Sequence, residues 1–236
     1  MNDLTRTAVV AGLGSGLSAA LCRHLTRAGY RVAGLARSPD AGETLLDELG
    51  GELFLPLVCD LTDAGQIDVA LTETEDRLGP VSVYVHNASR LSMGPFLETE
   101  PAAFEDLWQT TLMGAVHGTQ RVLPGMLQHS GGAILFIGAT ASVKAGANFS
   151  AFGAAKFALR GLAQSLSREL GPQGVHVAHL IIDGVIWSER ARDQWGMKPQ
   201  QCLKPEAIAE TCLHLIEQDR SAWTFELDIR PDVEAF

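Results

Sequence analysis

One stretch near the amino terminus, Val9-Val10-Ala11-Gly12-Leu13-Gly14-Ser15-Gly16-Leu17-Ser18-Ala19-Ala20-Leu21, constrains the fold of this chain more than any other. Its apolar run is short enough to be a buried strand, breaks at glycines, and gives way to helix-type spacing through Leu17, Leu21 and Leu25. The spacing predicts strand, tight turn, helix. Glycines suit such a turn because it needs backbone angles and close approaches that a side chain blocks. With the side chains gone, the free N–H groups and positive dipole end of the helix face an anion directly, and a dinucleotide pyrophosphate is the usual occupant. The pattern is not G-x-G-x-x-G, because Leu17 stands where the third glycine belongs. It fits G-x-x-x-G-x-G better, with Gly12, Gly16 and the small residue Ser18. Gly12, Gly14, Ser15, Gly16 and Leu17 are therefore candidate phosphate-turn residues. A nucleophile elbow over Gly16-Leu17-Ser18-Ala19-Ala20 is a poor alternative, since its second glycine is missing.

The remainder of the chain suits a single α/β domain spanning residues 1–236, with 46% hydrophobic and 19% charged residues. No apolar run reaches membrane-spanning length, and Met1-Asn2-Asp3-Leu4-Thr5-Arg6 lacks the features of a secretion signal, so a cytoplasmic protein is expected. Cys22, Cys59, Cys202 and Cys212 are scattered without C-x-x-C spacing, which suggests neither a disulfide framework nor a zinc site. His176 and His179 are no metal pair either, because an odd separation along a strand points them to opposite faces. A net charge of −10 without a local basic run argues against nucleic acid as a partner. A small-molecule ligand is expected instead.

Further along, Arg31–Ala36 reads as a second strand, followed by Arg37-Ser38-Pro39-Asp40. In a dinucleotide fold this position meets the adenosine ribose, where an acid would bind the 2′-hydroxyl and an arginine suits a 2′-phosphate. Arg37 with Ser38 therefore favours NADP(H) over NAD(H). A third strand over Leu53–Val58 leads to Asp60 and Leu61, placed to meet an adenine, while Asp63 is the better helix cap before Ala64–Leu78. The fourth strand, Val81–Val85, runs into His86-Asn87-Ala88-Ser89, where Asn87 and Ala88 are candidates for holding the loop or the cofactor and His86 reads as structural. A long helical region from Pro101 to Leu127 is expected to be disturbed near Pro124 and Gly125. A fifth strand, Gly132–Ile137, feeds Gly138-Ala139-Thr140-Ala141-Ser142, and a small-residue helix runs from Ser150 to about Leu170 with Phe152 and Lys156 on one face. The sixth strand, Val175–Ile182, ends in Asp183-Gly184-Val185-Ile186-Trp187-Ser188. Beyond it comes a lid-length loop whose Trp187, Trp195 and Met197 hint at an apolar ligand. Pro205 opens a last helix to about Gln218, and Ala222–Ile229 reads as a seventh strand. About seven strands separated by helix-length segments predict a Rossmann-like, doubly wound parallel sheet with helices on both faces.

Over nearly its full length the chain resembles the short-chain dehydrogenase/reductase family. The family's T-G-x-x-x-G-x-G corresponds to Ala11, Gly12, Gly16 and Ser18, its adenine-contacting Asp to Asp60, and its N-N-A-G to His86-Asn87-Ala88-Ser89. Its nicotinamide-contacting P-G-x-I-x-T corresponds to Asp183-Gly184-Val185-Ile186-Trp187-Ser188. The resemblance implies a Y-x-x-x-K pair, in which tyrosine moves the proton and lysine grips the nicotinamide ribose. Here the tyrosine position holds Phe152 and only Lys156 remains. The family serine falls on Ala139, beside Thr140, and the family asparagine on Thr111.

A phenyl ring has no ionisable hydrogen, so Phe152 cannot act as a general acid. The expectation is an NADP(H)-dependent oxidoreductase that reduces a carbonyl or an activated double bond of a small apolar substrate. The proton would come from Thr140, from Lys156 directly or through water, or from the substrate. The alternative is a cofactor-binding sensor or partner subunit without turnover. The resemblance also implies homodimers or homotetramers through the two long helices, and Ala154, Ala155, Ala158 and Gly161 would permit close helix approach.

Overall fold

A computed structural model of the chain describes residues 6–129 and 131–234. Met1–Thr5, included in the stretch read above for a secretion signal, lie outside the described residues. Seven strands form one parallel sheet: β1 (Thr7–Ala11), β2 (Arg31–Ala36), β3 (Phe54–Val58), β4 (Val81–His86), β5 (Gly132–Ile137), β6 (Val175–Ile182) and β7 (Glu226–Ile229). Their order is β3-β2-β1-β4-β5-β6-β7. The order reverses between β1 and β4, and the carboxyl ends of those two strands flank the crevice where ligands enter such sheets.

The helices are α1 (Leu17–Arg27), α2 (Asp40–Leu49), α3 (Ala64–Leu78), α4 (Pro101–Leu107), α5 (Gly114–Gln128), α6 (Ser150–Leu170), α7 (Glu189–Trp195) and α8 (Pro205–Ile216). Alternate residues of the strands feed two apolar layers. Val10, Leu135 and Leu180 pack beneath α1 and α8, whereas Val9, Ile134 and Val177 pack beneath α3, α5 and α6. All eight residues of β6 are buried, which is why its sequence runs almost unbroken in hydrophobicity. His176 and His179 do face opposite sides, one accompanying Trp223 and the other Glu226.

Four local readings are corrected. Pro124 does not end its helix, and α5 runs on to Gln128. The long helical region is instead broken earlier, at a π-helical turn over Trp108–Met113. The last strand starts at Glu226, because Arg220–Ala222 form a 3₁₀ turn. The lid-length segment after β6 is partly helical, as α7, with Ser188 accepting from Ala191 N at 3.1 Å as its cap. Asp63 caps α3 as expected, accepting from Gly65 N and Gln66 N.

Candidate active site

The glycine turn is built around a close approach. Gly12 has φ +92°, and a Cβ there would lie 2.6 Å from both Cα and N of Ala88. The β4 loop can therefore lie against the turn only if residue 12 is glycine. Gly12 N and Leu13 N both donate to Leu35 O, at 3.0 and 2.7 Å, which ties the turn to the end of β2. Ser18, expected only as a small stand-in for glycine, has a role of its own. Its hydroxyl donates to Gly12 O at 2.7 Å and accepts from Asn87 Nδ2 at 2.7 Å. Asn87 thus holds the loop through a serine on α1, a link that the substitution of a glycine by a hydroxyl residue could have suggested.

Next to this link, Gly14 and Gly16 face open space, and Gly16, the residue before α1, gives the helix no side-chain cap. Its first N–H groups therefore keep their hydrogen-bonding capacity for an outside acceptor. Ser15 is exposed, whereas the Leu17 side chain is buried in the core, so Leu17 can contribute only its backbone to a ligand.

A cleft of about 300 Å³ extends from Gly12 and Gly14 past Leu35 and Arg37 to Asp60, Leu61, Asn87 and Ala88. Asp60 Oδ1 accepts from Thr62 N and Thr62 Oγ1, both at 2.9 Å, which leaves Oδ2 uncommitted among the described residues. Arg37 is exposed at the end of β2 with no ion-pair partner among the described residues, and Ser38 lies beyond it against a neighbouring hollow with Pro39 and Pro56. Arg90 pairs with Asp106 at 2.6 Å along this cleft, a contact with no signal in the residue pattern because the two meet only when α4 folds back.

The second cleft, about 750 Å³, lies at the ends of β5 and β6. It collects Thr140, Phe152, Asp183, Gly184, Ile186 and Ser188, the residues expected from sequence, and adds Leu91, Met93 and Phe149. Trp195 lines it, but Trp187 and Met197 do not, which corrects their reading as ligand contacts. Gly184 has φ +139°, and a Cβ there would lie 3.0 Å from Leu203 and Pro231, so glycine is required where the chain turns beneath the cleft.

Lys156 is buried, and its Nζ donates to Ile137 O at 2.8 Å while lying 5.8 Å from the centre of the Phe152 ring. Burial lowers its pKa to about 8. His86 is also buried, and burial reinforced by the Lys156 charge lowers its pKa to about 3, which fits the structural reading of a neutral ring. Thr111, at the family's asparagine position, sits inside the π turn and shares a 3.0 Å hydrogen bond with Ser89. Ala139 offers no hydroxyl, but its N–H donates to Ser142 Oγ at 3.1 Å. Thr140 Oγ1 donates to Asp183 Oδ1 at 2.5 Å, and Asp183 Oδ2 lies 3.2 Å from Arg230 Nη1.

The buried ammonium has a consequence for stability. Lys156→Met is expected to stabilise the cofactor-free protein by about 2 kcal/mol at pH 7. A pKa lowered from 10.5 to about 8 corresponds to roughly 3 kcal/mol, less about 1 for the lost hydrogen bond. The unfolded chain keeps its lysine proton up to its ordinary pKa, whereas the folded protein releases it from about pH 8. Wild-type stability therefore rises with pH across that window, and the advantage of the variant shrinks there. Urea unfolding of both proteins from pH 7 to 10.5 checks this, and a pH-independent difference would refute the assignment.

An uncapped helix start behind open glycines, at the point where the strand order reverses, defines a doubly wound α/β protein of the dinucleotide-binding class. The chain belongs to the short-chain dehydrogenase family, whose "short chain dehydrogenase" model matches residues 6–195. It is 31% identical over 189 residues to the 3-oxoacyl-[acyl-carrier-protein] reductase MabA of Mycobacterium avium, covering 80% of this chain and 70% of that one. A short-chain dehydrogenase from Rhodopseudomonas palustris superposes with a TM-score of 0.82 at 31% identity, over 96% of this chain and 98% of that one. A metagenomic short-chain oxidoreductase in complex with NADP superposes with a TM-score of 0.82 at 26% identity, over 98% and 99% of the two chains.

Among the described residues no helix is long and apolar enough to cross a membrane.

Proposed function

We propose that the protein is an NADP(H)-dependent oxidoreductase acting on a small apolar substrate at a carbonyl or alcohol carbon, with a proton path that does not use a phenol. The observation that carries this reading is the uncapped α1 start beside Gly14 and Gly16, opening on a cleft that ends at Arg37, which has no ion-pair partner among the described residues. The residues fit such a cofactor. The turn N–H groups would hold the pyrophosphate, Arg37 and Ser38 the 2′-phosphate, Asp60 and Leu61 the adenine side, and Asn87 and Ala88 the passage between the clefts. Lys156 has one acceptor, Ile137 O, and would offer its remaining N–H donors to the nicotinamide ribose. Gly184, Ile186 and Ser188 would border the nicotinamide end. When bound, the nicotinamide supplies or takes the hydride. The protein's own part is to hold the substrate among Leu91, Met93, Phe149 and Trp195 and to manage one proton near Thr140. The NADP-bound metagenomic oxidoreductase and the reductase MabA support this reading.

Arg37→Ala is expected to weaken NADPH binding about 10- to 100-fold and to leave NADH binding within about twofold, since a charge-assisted contact to phosphate is worth roughly 1.5–3 kcal/mol. Fluorescence titration with each nucleotide measures this. Failure of the wild-type protein to bind either would refute the proposal.

A second reading, a cofactor-binding protein without turnover, is favoured by one observation. Phe152 and Ala139 carry no proton-transferring group, and Thr111 is engaged with Ser89. Nicotinamide oxidation across a ketone, quinone and enone panel separates the two readings.

The expected homo-oligomer is also a proposal. Ala154, Phe157 and Gly161 are exposed on the outer face of α6, whereas Ala155 turns into the core and takes no part. Light scattering against the 25.2 kDa chain mass tests it.

A further inference from the structure

We infer that Asp183 is a positioning residue that turns the Thr140 hydroxyl into a fixed hydrogen-bond acceptor, so that the apolar cleft selects a ligand hydroxyl over the corresponding carbonyl. This rests on the functional reading only in taking that cleft as the substrate site. In the aligned P-G-x-I-x-T segment, Asp183 stands where a proline is expected, and a proline could accept nothing through its side chain. The two groups meet because the ends of β5 and β6 are neighbours in the sheet. Thr140 opens the turn after β5, and Asp183 follows β6, its N–H held by Ile229 O at 2.8 Å.

A threonine hydroxyl has one proton and two lone pairs. The Thr140 proton goes to Asp183 Oδ1 at 2.5 Å, and the Asp183 carboxylate is held in turn by Arg230. No described group donates to Thr140 Oγ1, so its lone pairs are what it offers the cleft. A ligand oxygen at Thr140 must therefore bring its own proton. A ketone oxygen there would face lone pairs, and Phe152 and Ala139 supply no substitute donor.

The surrounding charges favour a neutral hydroxyl over an ammonium. Arg230 offsets Asp183 while also pairing with Asp228 at 2.7 Å, and Lys144 and Arg190 line the same cleft against Glu234. Buried Lys156 adds a further positive group on the α6 side.

The test uses 1-phenylethanol and acetophenone, a pair differing only at the oxygen-bearing carbon, titrated by NMR into cofactor-free protein so that no turnover occurs. The wild-type protein is expected to bind the alcohol about tenfold more tightly than the ketone, the equivalent of one hydrogen bond. Thr140→Val should abolish that ratio and Thr140→Ser should restore it, which a purely structural role for Thr140 would not do. Asp183→Ala releases the Thr140 proton to the cleft and should move the ratio toward the ketone. Equal binding of the two probes by the wild-type protein, or an alcohol preference that survives Thr140→Val, overturns the inference. NADPH titration of the same samples keeps the two questions apart. Saturable NADPH binding with equal probe affinities sinks this inference alone, whereas an alcohol preference without NADPH binding supports it and sinks the functional reading.

Discussion

Phe152→Tyr is expected to raise the rate of NADPH-dependent ketone reduction by roughly 10²- to 10⁴-fold, the usual contribution of a positioned general acid. The ring already occupies the right place. It lines the apolar cleft on the face of α6 that carries Lys156, whose ammonium lies 5.8 Å from the ring centre. A phenol there would gain an acidic hydrogen, and the neighbouring positive charge would lower its pKa toward the working range. The substitution adds one oxygen to a partly exposed side chain, so stability should change by less than about 1.5 kcal/mol. Initial rates with acetophenone and related aryl ketones give the answer. An unchanged rate would show that the proton reaches the substrate by a route indifferent to residue 152. The new phenol would also place a donor in a cleft where Thr140 offers only lone pairs, so the affinity for ketones should rise along with the rate.

The second large effect is on architecture. Gly12→Ala is expected to destabilise the protein by about 3 kcal/mol, combining the cost of a left-handed backbone for a residue with Cβ and the overlap with its neighbour. The overlap cannot be relieved by turning a side chain, because the atoms 2.6 Å away are the Cα and N of Ala88. Relief would need the β4 loop to withdraw, and that loop carries Asn87, which reaches Ser18 and through it Gly12 O. NADPH affinity should therefore fall at least tenfold, together with a loss of roughly 10 °C in Tm for a chain of this size. Gly14→Ala is the matched comparison. Its Cβ would meet nothing within 4 Å, so only ligand binding should suffer. Equal stability losses in the two variants would contradict the close approach at Gly12.

Local chemistry made much of the molecule legible. Asp63 announced the start of α3, β6 announced itself by its apolar run, and Phe152 and Lys156 share a helix face because they lie four residues apart. The readings that failed concerned competition between neighbours. Pro124 is tolerated because the packing of α5 on the sheet outweighs one lost hydrogen bond, and the π turn at Trp108–Met113 has no signature in residue types. Trp187 looked like a ligand contact because its class is informative and its direction is not. Its N–H is taken by Leu203 O, and the cleft is lined by Trp195 instead.

The order of strands and helices, the glycine turn, and the loss of the tyrosine hydroxyl were determined by the sequence alone, since each depends on residues within a few positions of one another. What the tertiary structure decided are the pairings between separate elements: Ser18 with Asn87, Arg90 with Asp106, and Thr140 with Asp183 and Arg230. Arg90 and Asp106 meet because α4 folds back over the loop after β4, whereas the other partners lie 43 to 69 residues apart and meet because parallel strands deliver their carboxyl ends to one edge. A hydroxyl's direction, unlike a residue's identity, is set by whichever acceptor the fold brings to it.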